Sequence, residues 1–192
     1  HPRGLGHAVL CAKAAIGNEP FVVLLGDDIV DAEIPCTKQM MEVYQKYGKS
    51  VVALMEVSEK DVSKFGVCAG KEVSKGVYEL DTMVEKPKAS EAPSRLAIVG
   101  RYILTPRIFD ILESTKPGKG GEIQLTDAMA RLMREEGFMG LQFEGKRYDA
   151  GDKCGYLMAN IAYALKRSDI APELLKFMKE AVKQANVSSR VS

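Results

Sequence analysis

Carboxylates placed directly after apolar runs are the first residues of this chain whose types and spacing could do chemistry. In LLGDDIVD (24–31), Asp27 and Asp28 follow the run FVVLLG. Ligands of open α/β sheets gather at the carboxyl ends of strands, and Asp27 stands at such an end, directly after Gly26. Two accounts fit an isolated GDD. One is a turn or helix N-cap aspartate. The other is a Mg2+ ligand, since Mg2+ keeps several waters and takes only one or two protein carboxylates beside phosphate oxygens. The second account predicts another carboxylate elsewhere. Asp149 in RYDAGDK (147–153) is the candidate, with Gly151 permitting a close backbone approach, although the stretch also reads as a turn.

MVEKPK (83–88) carries a second kind of chemistry. Along a regular strand Glu85 and Lys86 point to opposite faces. Pro87 removes a donor and is expected to hold Lys86 in extended or polyproline geometry. The strand then ends or twists, which can bring both side chains to one pocket. A carboxylate suits sugar hydroxyls, and an ammonium suits a phosphate as a point charge. Read alone, a solvated ion pair at a strand end is the simpler account. GLGHA (4–8) is a Gly-rich turn opening a helix, where backbone N–H groups could meet a base, phosphate or ribose. An ordinary turn has the same sequence. His7 is read as a packing or capping residue rather than a general base. In KFGV (64–67), Gly66 leaves room for a sugar against the backbone, or marks a bulge.

Composition narrows the classes. The chain has 192 residues, 46% of them hydrophobic, and its 27 basic and 26 acidic residues nearly cancel. That balance lacks the electrostatic footprint of a nucleic-acid-binding domain. No run approaches the roughly 20 apolar residues that cross a bilayer, so neither nucleic acid nor membrane is an expected partner. Cys11, Cys36, Cys68 and Cys154 lie far apart with no metal-ligand spacing, and are expected as buried thiols in a reducing cytoplasm. The chain opens HPRGLGHAV, without Met and inside a Gly-rich segment, so further sequence is expected before residue 1.

The elements that must hold these residues alternate. An Ala-rich helix over 8–16 presents Ala8, Cys11, Ala12 and Ala15 on one face. FVVLLG (21–26) reads as a parallel strand buried on both faces. Thr37 is expected to cap a helix turning Met40, Met41, Tyr44 and Tyr47 inward, with Gly48 as its stop. A buried strand at 51–57 follows, then strands near 66–69, 77–86 and 97–104, helices near 106–114 and 124–136, and a strand near 139–144 leading into the Asp149 loop. Two C-terminal helices fall near 153–167, with Leu157, Ile161, Ala164 and Leu165 apolar, and 171–186, with Leu174, Met178, Ala181 and Val182. This alternation predicts one α/β domain over 1–192, with no internal repeat or linker.

Taken together, GLGHAVLCA, LLGDDI, FGV, VEKPK, APSRLAIVGRYIL, GGEIQLTDA and YDAGDKCGY resemble, in order, the bacterial UTP–glucose-1-phosphate uridylyltransferases, also called UDP-glucose pyrophosphorylases. The resemblance runs from residue 1 to about 180. APSRLAIVGRY and GEIQLTDA separate this family from the related thymidylyltransferases. The resemblance implies a Rossmann-like nucleotidyltransferase fold, a mixed, mostly parallel sheet with flanking helices, truncated at its N-terminus. It implies that Asp27 and Asp149 bind Mg2+, that Lys86 contacts phosphate, that Glu85 holds glucose hydroxyls, that Gly66 lies along the sugar and that the turn at Gly4 lies beside uracil. It also implies a cytoplasmic homo-oligomer, a dimer or tetramer, acting on UTP and glucose 1-phosphate. Asp27, Lys86 and Asp149 would then be the catalytic residues. The family's GxGxRxxPxTK triphosphate loop has no counterpart here, so residues 1–192 alone are expected to turn over poorly. The FVVLLG strand is expected to lose a neighbour and become an exposed apolar edge. The alternatives are a dTTP-using sugar-1-phosphate nucleotidyltransferase and a non-catalytic sugar-nucleotide-binding fragment.

Overall fold

In the computed structural model residues 2–188 are described. The chain divides into two compact units. The first holds the chain up to Gly26 and Val30–Lys146; the second holds Asp27–Ile29 and the chain from Arg147 onward. All three junctions lie in or beside short strands rather than in a Gly- or Pro-rich linker, so composition gives no sign of them.

The first unit is built on a six-stranded sheet. Its strands are β1 (Phe21–Leu24), β3 (Ser50–Glu56), β4 (Gly66–Ser74), β5 (Val77–Glu85), β6 (Leu96–Leu104) and β7 (Phe138–Gln142), in the order β1-β6-β3-β7-β5-β4. β4 also pairs back onto β6 through Val67–Ala97 and Cys68–Leu96. The sheet is mixed, as expected, but among the pairings given for described residues only β3–β7 is parallel. The expectation of mostly parallel strands is therefore corrected. An apolar run such as Val51–Leu54 reports burial on both faces and says nothing of the direction of its neighbours.

Side chains alternate across β3. Val52 and Leu54 join a core with Ile108, Phe109, Leu112, Met129 and Leu132 from helices α4 (Arg107–Ser114) and α5 (Leu125–Glu136). Val51 and Ala53 join another with Met40 and Val43 of α3 (Cys36–Tyr47). Helices thus cover both faces. α3 starts after Pro35 with no side-chain cap, and Met41 is exposed, so neither the Thr37 cap nor the inward Met41 is found; Gly48 ends the helix at φ 65 as expected.

Three further expectations change. β1 pairs antiparallel with β6, from Phe21–Leu104 to Leu24–Arg101, and ends the sheet rather than lying inside it. Phe21 is buried and stacks on Phe109 at 4.8 Å, while Leu24 is 54% exposed, which matches the exposed apolar edge and overturns the parallel, doubly buried strand. The Ala-rich stretch forms two short helices, α1 (Leu5–Leu10) and α2 (Lys13–Ile16). Val9 is its buried side chain and Ala8, Cys11 and Ala15 face outward, because methyl groups offer little apolar area to bury. Cys36 and Cys68 are buried, and burial pushes their thiols up to about 11 and about 12. Cys11 and Cys154 are exposed, against expectation, each on the outer side of a helical turn; all four are free thiols.

The second unit carries α6 (Lys153–Ala164) and α7 (Ala171–Ser188). Two short strands absent from the sequence reading, β2 (Asp28–Asp31) and β8 (Lys146–Asp149), form a separate two-stranded sheet. Ala159 is buried, but Leu157, Leu165 and Val182 are exposed where they were expected to be covered.

Candidate functional site

In the second unit the neighbours Asp27 and Asp28 take opposite roles. Asp28 begins β2 and is 6% exposed. Its carboxylate pairs with the Arg147 guanidinium, which also donates from Nη2 to Asp149 Oδ2 at 3.1 Å. Asp27 points outward, and its carboxylate makes no hydrogen bond or ion pair among the described residues. Its carbonyl accepts the Ala150 N–H at 2.7 Å, tying the loop after β8 to it. Asp149 Oδ1 accepts the N–H groups of Gly151 and Asp152 at 3.1 and 3.3 Å. Asp152 then caps α6, accepting the Gly155 N–H at 2.8 Å.

Gly151 shows where the two exposed carboxylates meet. A methyl group placed on it would lie 3.0 Å from Asp27 Oδ2 and 3.2 Å from Asp149 Oδ1. Both oxygens therefore converge over one bare backbone position. No cluster of three or more metal-ligating side chains exists among the described residues. Two convergent carboxylates with room for non-protein oxygens fit a hard divalent cation that brings water and phosphate with it.

In the first unit Gly66 and Glu85 are register partners where β4 begins and β5 ends. A methyl group on Gly66 would lie 3.2 Å from Glu85 Oε2, 3.2 Å from Thr126 Oγ1 and 2.9 Å from Ile98 Cδ1, so a side chain there would be crowded. β5 stops at Glu85 as expected. Lys86 does not continue in extended or polyproline geometry: its φ is +44, a left-handed conformation costly for a side-chain-bearing residue. Its N–H donates to Phe65 O at 3.0 Å, which holds the turn. The reversal sets Lys86 Nζ 3.7 Å from Glu85 Oε1, so the pair does reach one side. Lys88, two residues on, is fully exposed beside Glu91.

The turn at Gly4 has a packing explanation of its own. Gly4 has φ +96, and a methyl group there would fall 2.7 Å from Glu122 Cβ and 2.8 Å from Ile123 O. The Gly6 N–H donates to Ile123 O at 2.9 Å, and the Ile123 N–H to Arg3 O at 2.8 Å. His7 sits 3.8 Å from Cys11 Sγ, one helical turn on, which suits its reading as a packing residue.

Three residues escaped the sequence reading. Arg147 stands two positions before Asp149 on one strand, hence on the same face, and that spacing is a usable signal. Thr126 and Asp127 open α5, an ordinary first-turn pattern; only the fold sets Thr126 beside Glu85 and Gly66. Burial and the nearby Glu85 charge push the Asp127 carboxyl above its usual range.

Comparison with known proteins agrees with this geometry. A uridylyltransferase of Streptococcus pyogenes, named UTP–glucose-1-phosphate uridylyltransferase, is 52% identical over 184 residues, 93% of this chain and 60% of its own length. The enzyme of that name from Staphylococcus epidermidis is 50% identical over 180 residues, 93% of this chain and 62% of its own. A crystal structure of UDP-glucose pyrophosphorylase complexed with UDP-glucose superposes with TM-score 0.83 at 51% identity, over 87% of this chain and 64% of that one. The chain thus spans about 60% of the length of the curated relatives it matches. The family model for nucleotidyl transferases matches residues 1–166, and the chain belongs to the nucleotidyl transferase family.

Proposed function

We propose that the protein carrying this chain transfers a uridylyl group from UTP to glucose 1-phosphate, yielding UDP-glucose and pyrophosphate. The observation that carries the reading is the division of labour at the GDD stretch: Asp28 is locked to Arg147 while Asp27 is left free and converges with Asp149 over Gly151. The 52% identity to a uridylyltransferase supplies the reaction class.

A phosphate oxygen of glucose 1-phosphate attacks the α-phosphorus of UTP. The bond between the α-phosphorus and the bridging oxygen breaks, and pyrophosphate leaves with its electron pair. The attacking phosphate is already ionised, so no general base is needed; catalysis is positioning and charge neutralisation. Lys86, fixed by its turn, holds the sugar phosphate, and Glu85 accepts hydrogen bonds from sugar hydroxyls. Gly66 lets the sugar lie close to the strand, and the Gly4 turn is assigned to the uracil. Asp27 and Asp149 would hold a divalent cation, which we take to be Mg2+. When bound it neutralises charge on the phosphates. Arg147 keeps Asp149 from swinging away. The family resemblance further leads us to place the protein in the cytoplasm as a homo-oligomer; no helix among the described residues is long and apolar enough to cross a membrane.

The test supplies the full-length protein with UTP, glucose 1-phosphate and Mg2+. Stoichiometric UDP-glucose and pyrophosphate are expected, with EDTA abolishing both. Turnover with dTTP but not UTP, or no turnover at all, overturns the reading.

A further inference from the structure

We propose that Arg147 is a positioning residue that sets the choice of cation: by holding one oxygen of Asp149 it restricts that carboxylate to one-oxygen coordination, which favours a small octahedral divalent cation such as Mg2+ over a large one such as Ca2+. This rests on the proposed assignment of Asp27 and Asp149 to a divalent cation.

The arginine fork carries the argument. Arg147 stands on β8 with its side chain 15% exposed. Its Nε pairs with the buried Asp28 of β2, and its Nη2 donates to Asp149 Oδ2 at 3.1 Å. Both nitrogens belong to one rigid planar group, so the orientation fixed at Asp28 also fixes the donor that meets Asp149. Asp149 is anchored on its other side as well. Its Oδ1 accepts the N–H groups of Gly151 and Asp152 at 3.1 and 3.3 Å. The carboxylate cannot turn without giving up bonds at both ends. Asp27 is exposed and has no such anchor among the described residues.

Ligand number follows from this asymmetry. Ca2+ gathers six to eight oxygens in flexible geometry and readily takes two from one carboxylate, whereas Mg2+ demands a near-ideal octahedron and keeps several waters. For Asp149 to offer both oxygens, Oδ2 would have to leave a charge-assisted bond to a partly buried guanidinium. While the fork holds, the pair offers too few protein oxygens, held too stiffly, to satisfy the larger ion. The smaller ion completes its sphere with water and phosphate oxygens and loses nothing.

The test is calorimetric titration of the full-length protein with UTP in saturating Mg2+ or saturating Ca2+, without glucose 1-phosphate, so that binding is read and turnover is not. UTP should bind at least about tenfold more weakly with Ca2+. Arg147→Lys keeps the charge but cannot reach Asp28 and Asp149 together. It should strengthen Ca2+-supported binding about fivefold and change Mg2+-supported binding by less than about twofold. A gain of binding with one cation is not the mark of a merely damaged site. The paired change Arg147→Gln with Asp28→Asn, which removes both buried charges at once, should shift the ratio the same way and serves if Arg147→Lys does not fold. Equal UTP binding with the two cations in the unaltered protein overturns the proposal. So does a ratio indifferent to these changes, or an equal loss with both cations. UTP binding that needs no divalent cation would sink the cation assignment itself, whereas a cation-dependent binding with an unmoved ratio sinks the role of Arg147 alone.

Discussion

The acidic groups near Gly151 and those near Gly66 are held in contrasting ways. At Gly151 one carboxylate is exposed and unpaired, and its sequence neighbour is buried against an arginine. On the proposed function, structure and chemistry are divided between adjacent residues. At Gly66 the same side chains would do both jobs on that reading: Glu85 lies at a strand end against Lys86, and a left-handed backbone at Lys86 keeps them together. Residues of the first site can therefore be changed one role at a time, while changes at the second perturb geometry and charge together.

The sharpest way to break this comparison is the aspartate pair. Asp27→Ala in the full-length protein should lower kcat by about three orders of magnitude, since a bound cation supplies several kcal/mol of charge stabilisation, with Tm unchanged. Asp28→Ala should do the reverse. Removing Asp28 breaks a buried ion pair, so thermal denaturation should show a large loss of stability. Parallel effects of the two changes on kcat and Tm would erase the division of labour.

At the second site Lys86→Ala should lower kcat/KM for glucose 1-phosphate by about a hundredfold, the scale of losing a positioned charge-assisted bond. Lys88→Ala should change it by less than about twofold, because exposed ion pairs contribute little. Equal losses would mean that a diffuse basic patch meets the phosphate. Lys86→Gly relieves the left-handed backbone while removing the ammonium, so it should match Lys86→Ala in activity and exceed it in stability by about 1 kcal/mol.

Smaller effects belong to the surfaces around these sites. The β1 edge, with Leu24 and Val22 exposed, should make residues 1–192 self-associate on their own, and Leu24→Lys should shift light scattering toward the monomer. The ion pairs of α4 and α5 give the least. Lys13 and Arg107 hold Asp110 below its usual range, and Arg107 with Arg131 does the same for Glu135. Carboxylates lowered in the folded state contribute stability that is present above about pH 4 and lost as the pH falls toward their folded values. Arg107→Ala should therefore lower Tm slightly at pH 7, and the difference should shrink as the pH falls below about 4. A Tm difference that does not shrink with falling pH would place the effect in packing.

Much of this was legible in the chain. The positions of α4 and α5 follow from 3.6-residue periodicity, and the buried β3 from an unbroken apolar run, because each is dictated by neighbours a few residues away. Asp27, Asp149, Glu85 and Lys86 could be singled out from residue type beside strand ends. What sequence could not decide was pairing across distance. The sheet's mainly antiparallel directions depend on which strands meet, and apolar runs read alike in both directions. The exposure of Cys11, Leu157 and Met41 depends on what covers each helix face. GDD offers two carboxylates of equal intrinsic chemistry, and only Arg147, 119 positions beyond Asp28, separates the structural one from the free one. Thr126 comes to lie beside Gly66 and Glu85 solely because α5 starts there. Local chemistry is written in residue types and spacing; which group is free to use it is set by burial and long-range partners, and those exist only once the chain is folded.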